Sequence, residues 1–501
     1  MSKNDSDINR DRRDVLKVGA ASASLACVSN LLINEKAQGT NHNTYDVVII
    51  GAGMAGLSAA IELLAHGYRV KILEASHRLG GRIYSETLGE TRIELGAEEH
   101  YLGKNNPIYS AVIKKYGKDV YTKAYEGEQL LSIDNGKFCW EFSSECLSDP
   151  DVSNFWKYNS YYGNKAQHKD YSISLADDIL KQYGVDKDHR AYHLYENGFA
   201  GAIFGDSLKR IGAASLAEQD SKWTLSEDIR VLAPSKLGYS DVLEKIWWNE
   251  ISDHVLLNTV VEHIDSSGNS VAVHDKGGNR HICHKVIITA SIGVLQSELI
   301  QFTPALPRAT IDAYNNIGMG RGMKVALRFT APFWEERMSY LITEGLSSSC
   351  WVPTNYKTGS KDHILMCYPM GNNGQTLTDI AHKKEDDLEG AEEIIRTMLS
   401  ELTTLFGEEV NTQYIDSVVQ DWTTHPYVLG SYSYPTPSTY ANGNSFRSQL
   451  AQPINNQIFF AGEATNNKNP SCVPGALHEG SRAANQIHNI LKGVSDPPQV
   501  A

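Results

Sequence analysis

Three glycines and a carboxylate at characteristic spacing are the first residues of this chain that could do chemistry. Gly51, Gly53 and Gly56 follow the apolar run 47–50, and Glu74 stands about 20 residues further along. Gly51 would allow a tight turn, Gly53 would let the backbone approach a pyrophosphate, and Gly56 would let a helix pack closely on a strand. Glu74 would accept a hydrogen bond from a ribose hydroxyl. The spacing therefore predicts a binding site for a dinucleotide.

The segments that carry these residues have the patterns of a strand, a helix and a second strand. Residues 47–50 are uniformly apolar, as a parallel strand covered on both faces requires, and apolar residues recur at helical spacing over 57–66. A second strand is predicted over 69–74. A phosphate would lie at the N-terminus of the helix, where backbone N–H groups lack partners. Far along the chain, 459–465 is another apolar strand that stops at Gly-Glu. We therefore expect the chain to return to the same dinucleotide, which indicates FAD rather than a nicotinamide cofactor.

Residues 76–82, Ser-His-Arg-Leu-Gly-Gly-Arg, follow the carboxylate directly. They resemble the Arg-x-Gly-Gly-Arg extension of the flavin amine oxidase superfamily, which includes monoamine oxidases, polyamine oxidases and lysine-specific histone demethylases. In that family this segment lies along the FAD diphosphate. The resemblance thus implies a phosphate contact from Arg82, whose planar fork suits phosphate oxygens. Many members carry Arg where this chain has Ser76, which implies the loss of one contact but not of the cofactor.

The resemblance extends along nearly the whole chain after residue 44 and is closest to the polyamine oxidase and demethylase branch. The matching segments are 93–97, 258–261, 286–295, 302–307, 322–329, Trp422 and 430–434. It implies a mixed α/β fold, with a Rossmann-like FAD-binding domain of the glutathione reductase and amine oxidase type. A substrate-binding domain of sheet and helices would be inserted into it. The residues implied to contact FAD are Gly51, Gly53, Met54, Ala55, Gly56, Glu74, Arg82, Gly96, Ala97, Val261, Trp422, Glu463, Cys472 and Val473.

Two residues are implied to be catalytic. Lys324 matches the family's flavin-side lysine, which holds a water near flavin N5, and Tyr432 matches one wall of the aromatic cage in front of the flavin. The opposite wall aligns with Cys472, a smaller residue. Monoamine oxidases attach FAD through a Cys at the place of Ser431, so the resemblance implies noncovalent FAD. The implied reaction is hydride transfer from an amine to N5. It gives an imine and then an aldehyde, and oxygen is reduced to hydrogen peroxide or another acceptor takes the electrons.

The substrate-binding residues are predicted next to the presumed flavin strand. Glu98 and Glu99 are adjacent carboxylates, and strand alternation predicts that one of them faces the cavity and pairs with a cationic amine. A solvated acidic turn is the alternative. An ungapped alignment places the histidine of spermine oxidases on Tyr101.

Three other functions remain open at this point. A flavin desaturase or isomerase usually lacks the 322–329 and 430–434 motifs, and a non-catalytic flavin scaffold would show no turnover. An L-amino acid oxidase needs an Arg for the substrate carboxylate, for which Arg321 is the one candidate considered. Which amine is oxidised does not follow from the sequence.

Length and charge agree with a two-domain enzyme for small molecules. With 501 residues, the chain exceeds what one core supports. We predict an FAD-binding domain from 44–115, 236–308 and 448–495, and a substrate-binding domain from 116–235 and 309–447. The net charge of −14 disfavours nucleic acid as a partner and suits cationic amines. No apolar stretch is long enough to predict a transmembrane helix.

The first 43 residues and the tail 496–501 are predicted to lie outside the fold. Arg12 and Arg13, followed by Leu16, Lys17 and the apolar stretch 18–33, resemble a twin-arginine export signal. The resemblance implies a partner, the twin-arginine export machinery, and a bacterial periplasmic location, with secretion or a lipid anchor as alternatives. A disordered basic tail is the competing interpretation.

The cysteines do not form a recognisable site. There are seven, without CxxC or metal-ligand spacing, so we predict neither a metal site nor a disulfide framework. Cys139 and Cys146 could pair in an exported protein, but we expect two free thiols in the core.

Overall fold

The computed structural model describes residues 44–493 apart from 104–105, 125–126, 135–136, 142, 164–168, 185–186, 227, 233–236, 354–360 and 444. The predicted export signal with Arg12 and Arg13 and the predicted tail lie outside the described residues. No helix of the described part is both long and apolar enough to cross a membrane.

One sheet collects strands that are far apart in the sequence. Its strands are β1 (Tyr45–Ile50), β2 (Val70–Leu73), β10 (Val255–Leu256), β11 (Val261–Asp265), β12 (Val271–Asp275), β13 (Arg280–Ile288), β14 (Gln301–Thr303) and β22 (Ile458–Phe460). Their order is β10-β2-β1-β13-β12-β11-β14, and β22 also pairs with β13. All of them fall in the three segments predicted to form the FAD-binding domain, whose exact boundaries stay a prediction.

The parallel register of this sheet brings the two ends of the chain together. β13 pairs in parallel with β1 on one side and with β22 on the other. In that register Ile50, Ile288 and Phe460 are the aligned last residues of the three strands. The carboxyl ends of parallel strands meet at one sheet edge, where open α/β sheets bind their ligands. The glycine turn after β1 and the Gly-Glu turn after β22 therefore lie at the same edge.

Close helix packing above this edge explains two of the glycines. The first helix, α1 (Met54–Ala65), starts three residues earlier than predicted, because Gly53 is its N-cap. A Cβ on Gly56 would lie 2.0 Å from the carbonyl oxygen of Gly51. A Cβ on Gly480, in the last helix, would lie 2.1 Å from that of Ala55. Only glycine allows these approaches, so α1 seats tightly on its strand, as the Gly56 spacing predicts.

A second sheet carries Lys324. Its strands are β7 (Glu128–Asp134), β8 (Lys137–Trp140), β16 (Met323–Phe329), β17 (Met338–Ile342), β18 (Ser349–Trp351), β19 (His363–Tyr368) and β20 (Tyr414–Asp421), in the order β20-β16-β19-β18-β17-β7-β8. β16 lies between β19 and β20 and is antiparallel to both. Residues 323–327 are buried on both faces of the sheet. Lys324 is therefore a buried lysine within a strand, not a lysine at an exposed strand end.

The remaining strands form small sheets beside the two large ones. They are β3 (Ser85–Leu88) with β4 (Thr91–Glu94), β5 (His100–Tyr101) and β6 (Tyr121–Lys123) with β9 (Ile229–Leu232), and β15 (Ile317–Met319) with β21 (Ser433–Pro435).

The helices surround the sheets. After α1 they are α2 (Pro107–Tyr116), α3 (Ser144–Ser148), α4 (Pro150–Gly163), α5 (Leu175–Tyr183), α6 (Arg190–Tyr195), α7 (Gly201–Phe204), α8 (Ala213–Ser221), α9 (Tyr239–Ile251), α10 (Ile292–Gln296), α11 (Arg308–Asn315), α12 (Gly371–Ala381), α13 (Asp387–Phe406), α14 (Glu409–Gln413), α15 (Phe446–Leu450) and α16 (Val473–Lys492). A π-helical turn, Glu196–Ala200, joins α6 to α7.

The prediction of two free thiols at Cys139 and Cys146 is wrong. The two residues form a disulfide between the end of β8 and the first turns of α3. Their Cα atoms are 5.2 Å apart, within the usual range for a disulfide. Because the chain reverses direction after Trp140 and re-enters as a helix, the two side chains meet despite a separation of 7 residues.

Candidate active site

A single cavity of about 1070 Å³ reaches from the first sheet to the second. It is lined by every residue predicted above to contact cofactor or substrate except Gly56, which is buried behind it. The volume is at the upper end of what small-molecule and cofactor sites enclose. The fold thus assembles the motifs of both chain ends and of the inserted segments around one space.

The end of the cavity at the first sheet is a cradle for phosphate and ribose. Gly51 has φ +99°, a conformation that other residues rarely adopt, and it turns the chain from β1 towards α1. The first turn of α1 faces the cavity without an acidic side chain and without a side-chain cap at Gly53. Its unpaired N–H groups and the positive end of the helix dipole favour an anion. Glu74, after β2, lines the same end.

The Glu74 carboxylate is held rigidly by its own neighbours. Its Oε2 accepts a hydrogen bond from Ala52 N at 2.6 Å, and its Oε1 accepts from Ser76 N at 2.8 Å and from Ser76 Oγ at 2.7 Å. A carboxylate offers about four acceptor positions, so one position remains for a ligand hydroxyl. Ser76, which departs from the family's Arg, therefore orients the carboxylate.

Arg78 shapes the glycine loop that follows. Its guanidinium donates to the carbonyl oxygens of Leu79, Gly81 and Ile83 at 2.8–3.0 Å. It also lies 4.1 Å from the ring centroid of Tyr84. The loop is thereby fixed next to the start of α1. The sequence motif contains this Arg, but the sequence alone does not show its role.

Arg82 forms an ion pair with a residue near the other end of the chain. Its Nη1 donates to Glu463 Oε1 at 2.8 Å and to the carbonyl oxygen of Ser431 at 3.0 Å. Glu463, which is 5% exposed, also accepts from Ser433 Oγ at 2.6 Å and from Ser471 N at 2.9 Å. Burial acts to raise the pKa of Glu463, but the charges of Arg82 and Arg447 and the hydrogen bonds from Ser433 and Arg82 outweigh it and hold the pKa below its usual value. Arg82 thus joins the two halves of the nucleotide site while its side chain lines the cavity.

These residues fit a flavin dinucleotide. The turn at Gly51 and the start of α1 suit the diphosphate, and Glu74 suits a ribose. Further along the cavity, Ser431 Oγ is buried and has no hydrogen-bond partner among the described residues. Buried polar atoms are normally paired, so this hydroxyl indicates a ligand atom beside it. FAD would supply the dinucleotide for the cradle and polar atoms for this hydroxyl.

Lys324 lies at the far end of the cavity in a closed environment. Its Nζ donates to Glu98 Oε2 at 2.9 Å and to the carbonyl oxygen of Glu94 at 3.0 Å. It lies 5.0 Å from the centroid of Trp351 and 5.7 Å from that of Tyr368. Its side chain is only 6% exposed. Lys324 therefore presents a desolvated ammonium group whose partners are a carboxylate, a carbonyl and two aromatic faces.

Aromatic rings form the walls beside this lysine. Tyr432 donates its hydroxyl to the carbonyl oxygen of Ala202 at 2.6 Å. A Cβ on Gly205 would lie 2.6 Å from the Tyr432 ring, so the absence of a side chain there makes room for it. Burial raises the pKa of Tyr432 well above its usual value, and Tyr368 and the Glu99 carboxylate contribute to the rise. Tyr432 is therefore a neutral, fixed wall of the cavity.

Both adjacent carboxylates line the cavity, whereas strand alternation predicts that one of them would. The alternation does not apply because 97–99 form no strand between β4 and β5. Glu99 accepts a hydrogen bond from Tyr101 at 3.3 Å, and Glu98 pairs with Lys324. His100 does not line the cavity; it is buried against Tyr121. Burial lowers the pKa of His100 to about 3. His100 is therefore neutral.

Cys472 and Trp422 line the cavity in different ways. Burial raises the pKa of Cys472 to about 12, and its thiol donates to a backbone carbonyl at 3.2 Å, so it is a small neutral wall rather than a nucleophile. Trp422 Nε1 donates to the carbonyl oxygen of Leu95 at 2.8 Å. His425 stacks on Trp422 with ring centroids 5.3 Å apart, and burial with the charge of Arg78 lowers its pKa to about 4.

Comparison with known proteins identifies the family. Residues 54–488 match the model of the family described as "Flavin containing amine oxidoreductase". The chain belongs to this family. Its cofactor is accordingly FAD, for which the dinucleotide cradle is built.

Individual relatives of this flavin-containing amine oxidoreductase are distant. Lysine-specific histone demethylase 1B of Mus musculus is 26% identical over 89% of the chain and 53% of the relative. Probable polyamine oxidase 4 of Arabidopsis thaliana is 26% identical over 92% of the chain and 90% of the relative. The chain spans about half the length of the mouse and human demethylases that it matches.

Solved structures share the fold. Wild-type putrescine oxidase bound to putrescine superimposes with a TM-score of 0.70 at 18% identity, covering 89% of the chain and 99% of that protein. Cyclohexylamine oxidase from Brevibacterium oxydans gives 0.68 at 21% identity, covering 90% and 100%. The oxidoreductase therefore has the mixed α/β fold that the sequence predicts.

Several residues that line the cavity of the oxidoreductase were not predicted from the sequence. Trp351 and Tyr368 lie in the inserted segments, where many aromatic residues compete and no motif selects these two. Asp220, on α8, is a further cavity carboxylate, and burial raises its pKa to about 6. Among the described residues, no group of His, Cys, Asp and Glu side chains could hold a metal ion.

Proposed function

We propose that this oxidoreductase oxidises an aliphatic amine that carries a second positive charge, such as a diamine or polyamine, to an imine and then an aldehyde. The observation that carries the proposal is the side-by-side position of Lys324, the aromatic walls and the Glu99 carboxylate in one cavity with the FAD cradle. FAD, when bound, supplies the hydride acceptor. The chain's own residues bind the amine, orient it and exclude bulk water.

Glu99 is the proposed anchor for the distal ammonium group. It lines the cavity beside Tyr101 and raises the pKa values of Tyr368 and Tyr432 in addition to the effect of burial, so its charge is close to both rings. A carboxylate in such an enclosed site forms strong charge-assisted hydrogen bonds with an ammonium. Binding there would hold the reacting amine between the aromatic walls, which favours a near-attack geometry.

Lys324 is the proposed catalytic residue. Its ammonium is fixed by two oxygen atoms and keeps a third N–H for a water molecule in the cavity. Such a water would add to the imine carbon, and the proton that it gives up would pass to the imine nitrogen, so that the adduct breaks down to the aldehyde and the free amine or ammonia. Tyr432 has its hydroxyl turned to Ala202, so its role is to orient the substrate with its ring face.

Three further parts of the proposal come from the sequence. Noncovalent FAD is supported by Ser431, because serine stands where a covalent cysteine would be and is a poor nucleophile. Export by the twin-arginine route to the periplasm is supported by Arg12 and Arg13. Oxygen is the proposed electron acceptor, with another oxidant as the alternative.

An L-amino acid oxidase is the less favoured alternative. Arg321, the candidate for binding a substrate carboxylate, donates Nη2 to Asp206 Oδ1 at 2.7 Å and Nε to Asp206 Oδ2 at 3.2 Å. It is not part of the cavity lining. Arg78 and Arg82 line the cavity but are bonded within the nucleotide cradle.

The proposal is tested by anaerobic reduction of the bound flavin. Purified holoenzyme is mixed with monoamines, diamines, polyamines and amino acids, and bleaching of the flavin absorbance is followed. We expect diamines or polyamines to bleach fastest. In Glu99→Gln the concentration of diamine for half-maximal rate should rise roughly ten- to a hundredfold, the value of one charged hydrogen bond.

A matched control separates this effect from a general loss of charge. Glu385 is exposed on the loop before α13, and Glu385→Gln should bleach like the wild type. Equal rates with Glu99→Gln and Glu385→Gln would contradict the anchoring role of Glu99. Bleaching by amino acids alone would favour the L-amino acid oxidase.

A further inference from the structure

Both carboxylate oxygen atoms of Glu98 accept hydrogen bonds from residues of the second sheet. Oε2 accepts from Lys324 Nζ at 2.9 Å, and Oε1 accepts from Trp351 Nε1 at 3.3 Å. The Lys324 and Glu98 side chains are 6% and 13% exposed. A solvated acidic turn would leave the carboxylate in water, so that interpretation does not describe Glu98.

Trp351 contacts both members of this ion pair. The Lys324 ammonium lies 5.0 Å from the centroid of the indole ring, whose N–H is the donor to Glu98. Trp351 is 4% exposed and is held in register opposite Tyr340 on β17 and Met366 on β19. The indole therefore fixes the carboxylate and covers the ammonium at the same time.

We propose that Glu98 is the positioning residue of Lys324, and that it keeps this lysine charged and pointed into the cavity rather than binding the substrate. A lysine buried without a carboxylate partner loses its proton readily, because burial disfavours the charged form. Leaving one member of a buried pair alone is also strongly destabilising. The inference rests on the proposed function only for what Lys324 does in the reaction; the pair itself is independent of it.

The assignment separates the two adjacent carboxylates by role. Both carboxylates line the cavity, but Glu98 is bonded to Lys324 and to the Trp351 indole, whereas Glu99 accepts a hydrogen bond from Tyr101. A change at Glu98 should therefore alter the state of the lysine. A change at Glu99 should alter substrate affinity and leave the lysine as it is.

Other titratable groups around the lysine are known and can be controlled. The Glu94 side chain is close, with its pKa raised to about 7 by burial and by the charge of Glu98. Tyr340 and Tyr368 have pKa values raised by burial, so they stay neutral over the range of the test. Glu99 is the other nearby carboxylate. Because Glu94 can titrate in the same range, a variant that lacks Lys324 is part of the design.

The test is a pH titration of the flavin absorbance in holoenzyme, which requires no turnover. Wild type, Glu98→Gln, Glu98→Gln with Lys324→Met, and Glu385→Gln are compared between about pH 5.5 and 9.5, where a destabilised lysine would titrate. We expect Glu98→Gln to show a transition, separate from any transition of Glu94, that is absent from wild type, from Glu385→Gln and from the double variant. No such transition in Glu98→Gln, or the same transition in the double variant, overturns the proposal.

Thermal unfolding provides a second, independent readout. Glu98→Gln and Lys324→Met should each lower the melting temperature, and the double variant should lower it by clearly less than the sum, since the two residues form one pair. Additive shifts overturn the proposal. If Glu98→Gln does not fold, Glu98→Asp serves instead. Glu98→Asp keeps a carboxylate beside Lys324, so it should retain the wild-type titration of the flavin absorbance; a new transition between about pH 5.5 and 9.5 in this variant would overturn the assignment.

The two proposals fail separately. If no amine bleaches the wild-type flavin but the titration and melting results are as expected, the proposed function is wrong and the positioning role stands. If amines bleach the flavin but Glu98→Gln and wild type titrate alike, the positioning role is wrong and the proposed function stands.

Discussion

Replacing Glu74 with Gln should weaken FAD binding by a predictable amount. The carboxylate accepts three hydrogen bonds, from Ala52 N at 2.6 Å and from Ser76 N and Oγ at 2.8 and 2.7 Å. A Gln side chain must turn its NH₂ group towards one of these donors, so a buried N–H loses its acceptor. It also offers the ribose a neutral acceptor, or a donor, in place of a charged one.

The size of the effect follows from the hydrogen bond to the charged group. Such a bond contributes about 1.5–3 kcal/mol, and a factor of ten in affinity corresponds to about 1.4 kcal/mol. The dissociation constant of FAD should therefore rise on the order of ten- to a hundredfold. Glu74 is 7% exposed, so solvent screening should reduce this figure little.

The assay is reconstitution of flavin-stripped protein with FAD, with the dissociation constant read from quenching of flavin fluorescence. Glu62→Gln is the matched control, because Glu62 lies on α1 in the same strand–helix–strand unit but its side chain is 38% exposed. Circular dichroism of the stripped proteins checks that the fold is kept. A Glu74→Gln constant within twofold of the Glu62→Gln constant, with an intact fold, would refute the assignment of Glu74 to the ribose.

Four other outcomes are expected. Acid precipitation should release FAD into the supernatant, because Ser431 replaces the covalent cysteine; yellow pellets would contradict this. Lys324→Met should retain FAD and fold but lose most turnover, and stopped-flow reoxidation by oxygen should slow; unchanged rates would remove Lys324 from the mechanism. Burial raises the pKa of Glu94 from 4.5 to about 7, so the protonated form is favoured on folding. The contribution of Glu94 to the free energy of unfolding is therefore fully present below about pH 4.5 and is lost as the pH rises through 7, a change of about 3 kcal/mol. Melting curves of Glu94→Gln should therefore depend less on pH than those of wild type, and parallel profiles would show that Glu94 does not titrate there. Replacing Arg12 and Arg13 with Lys should leave the folded, FAD-loaded protein in the cytoplasm, as cell fractionation would show; normal periplasmic amounts would refute the export proposal.

Local patterns in the sequence were sufficient for the elements near the FAD cradle. The apolar run of β1 and the glycine spacing predict a strand–turn–helix unit, which the structure contains as β1, the turn at Gly51 and α1. These features depend on neighbours a few residues away, through burial of one face and the steric freedom of glycine. The same reasoning misjudged the start of α1 by three residues, because the N-cap at Gly53 belongs to the turn rather than to the apolar pattern.

The contacts of the residues at the far end of the cavity could be established only from the tertiary structure. The sequence shows two carboxylates at 98–99 but not that both enter the cavity, because the strand alternation used to judge them does not extend over these residues. The partners of Glu98 come from β16 and β18, more than 200 residues away, whereas Glu99 accepts a hydrogen bond from the nearby Tyr101. The pairing of Cys139 with Cys146 likewise depended on how the chain reverses after β8.

What the sequence determined by itself was therefore the family, the cofactor and a set of residues that, apart from Gly56, line one cavity in the structure. Glycine spacing and the order of motifs express constraints that act along the chain. Only the tertiary structure decided which charged side chains pair: Lys324 with Glu98, and Arg82 with Glu463. Such pairs are chosen by the packing of distant strands in a region with little water, where a charge has to find a partner or lose its proton.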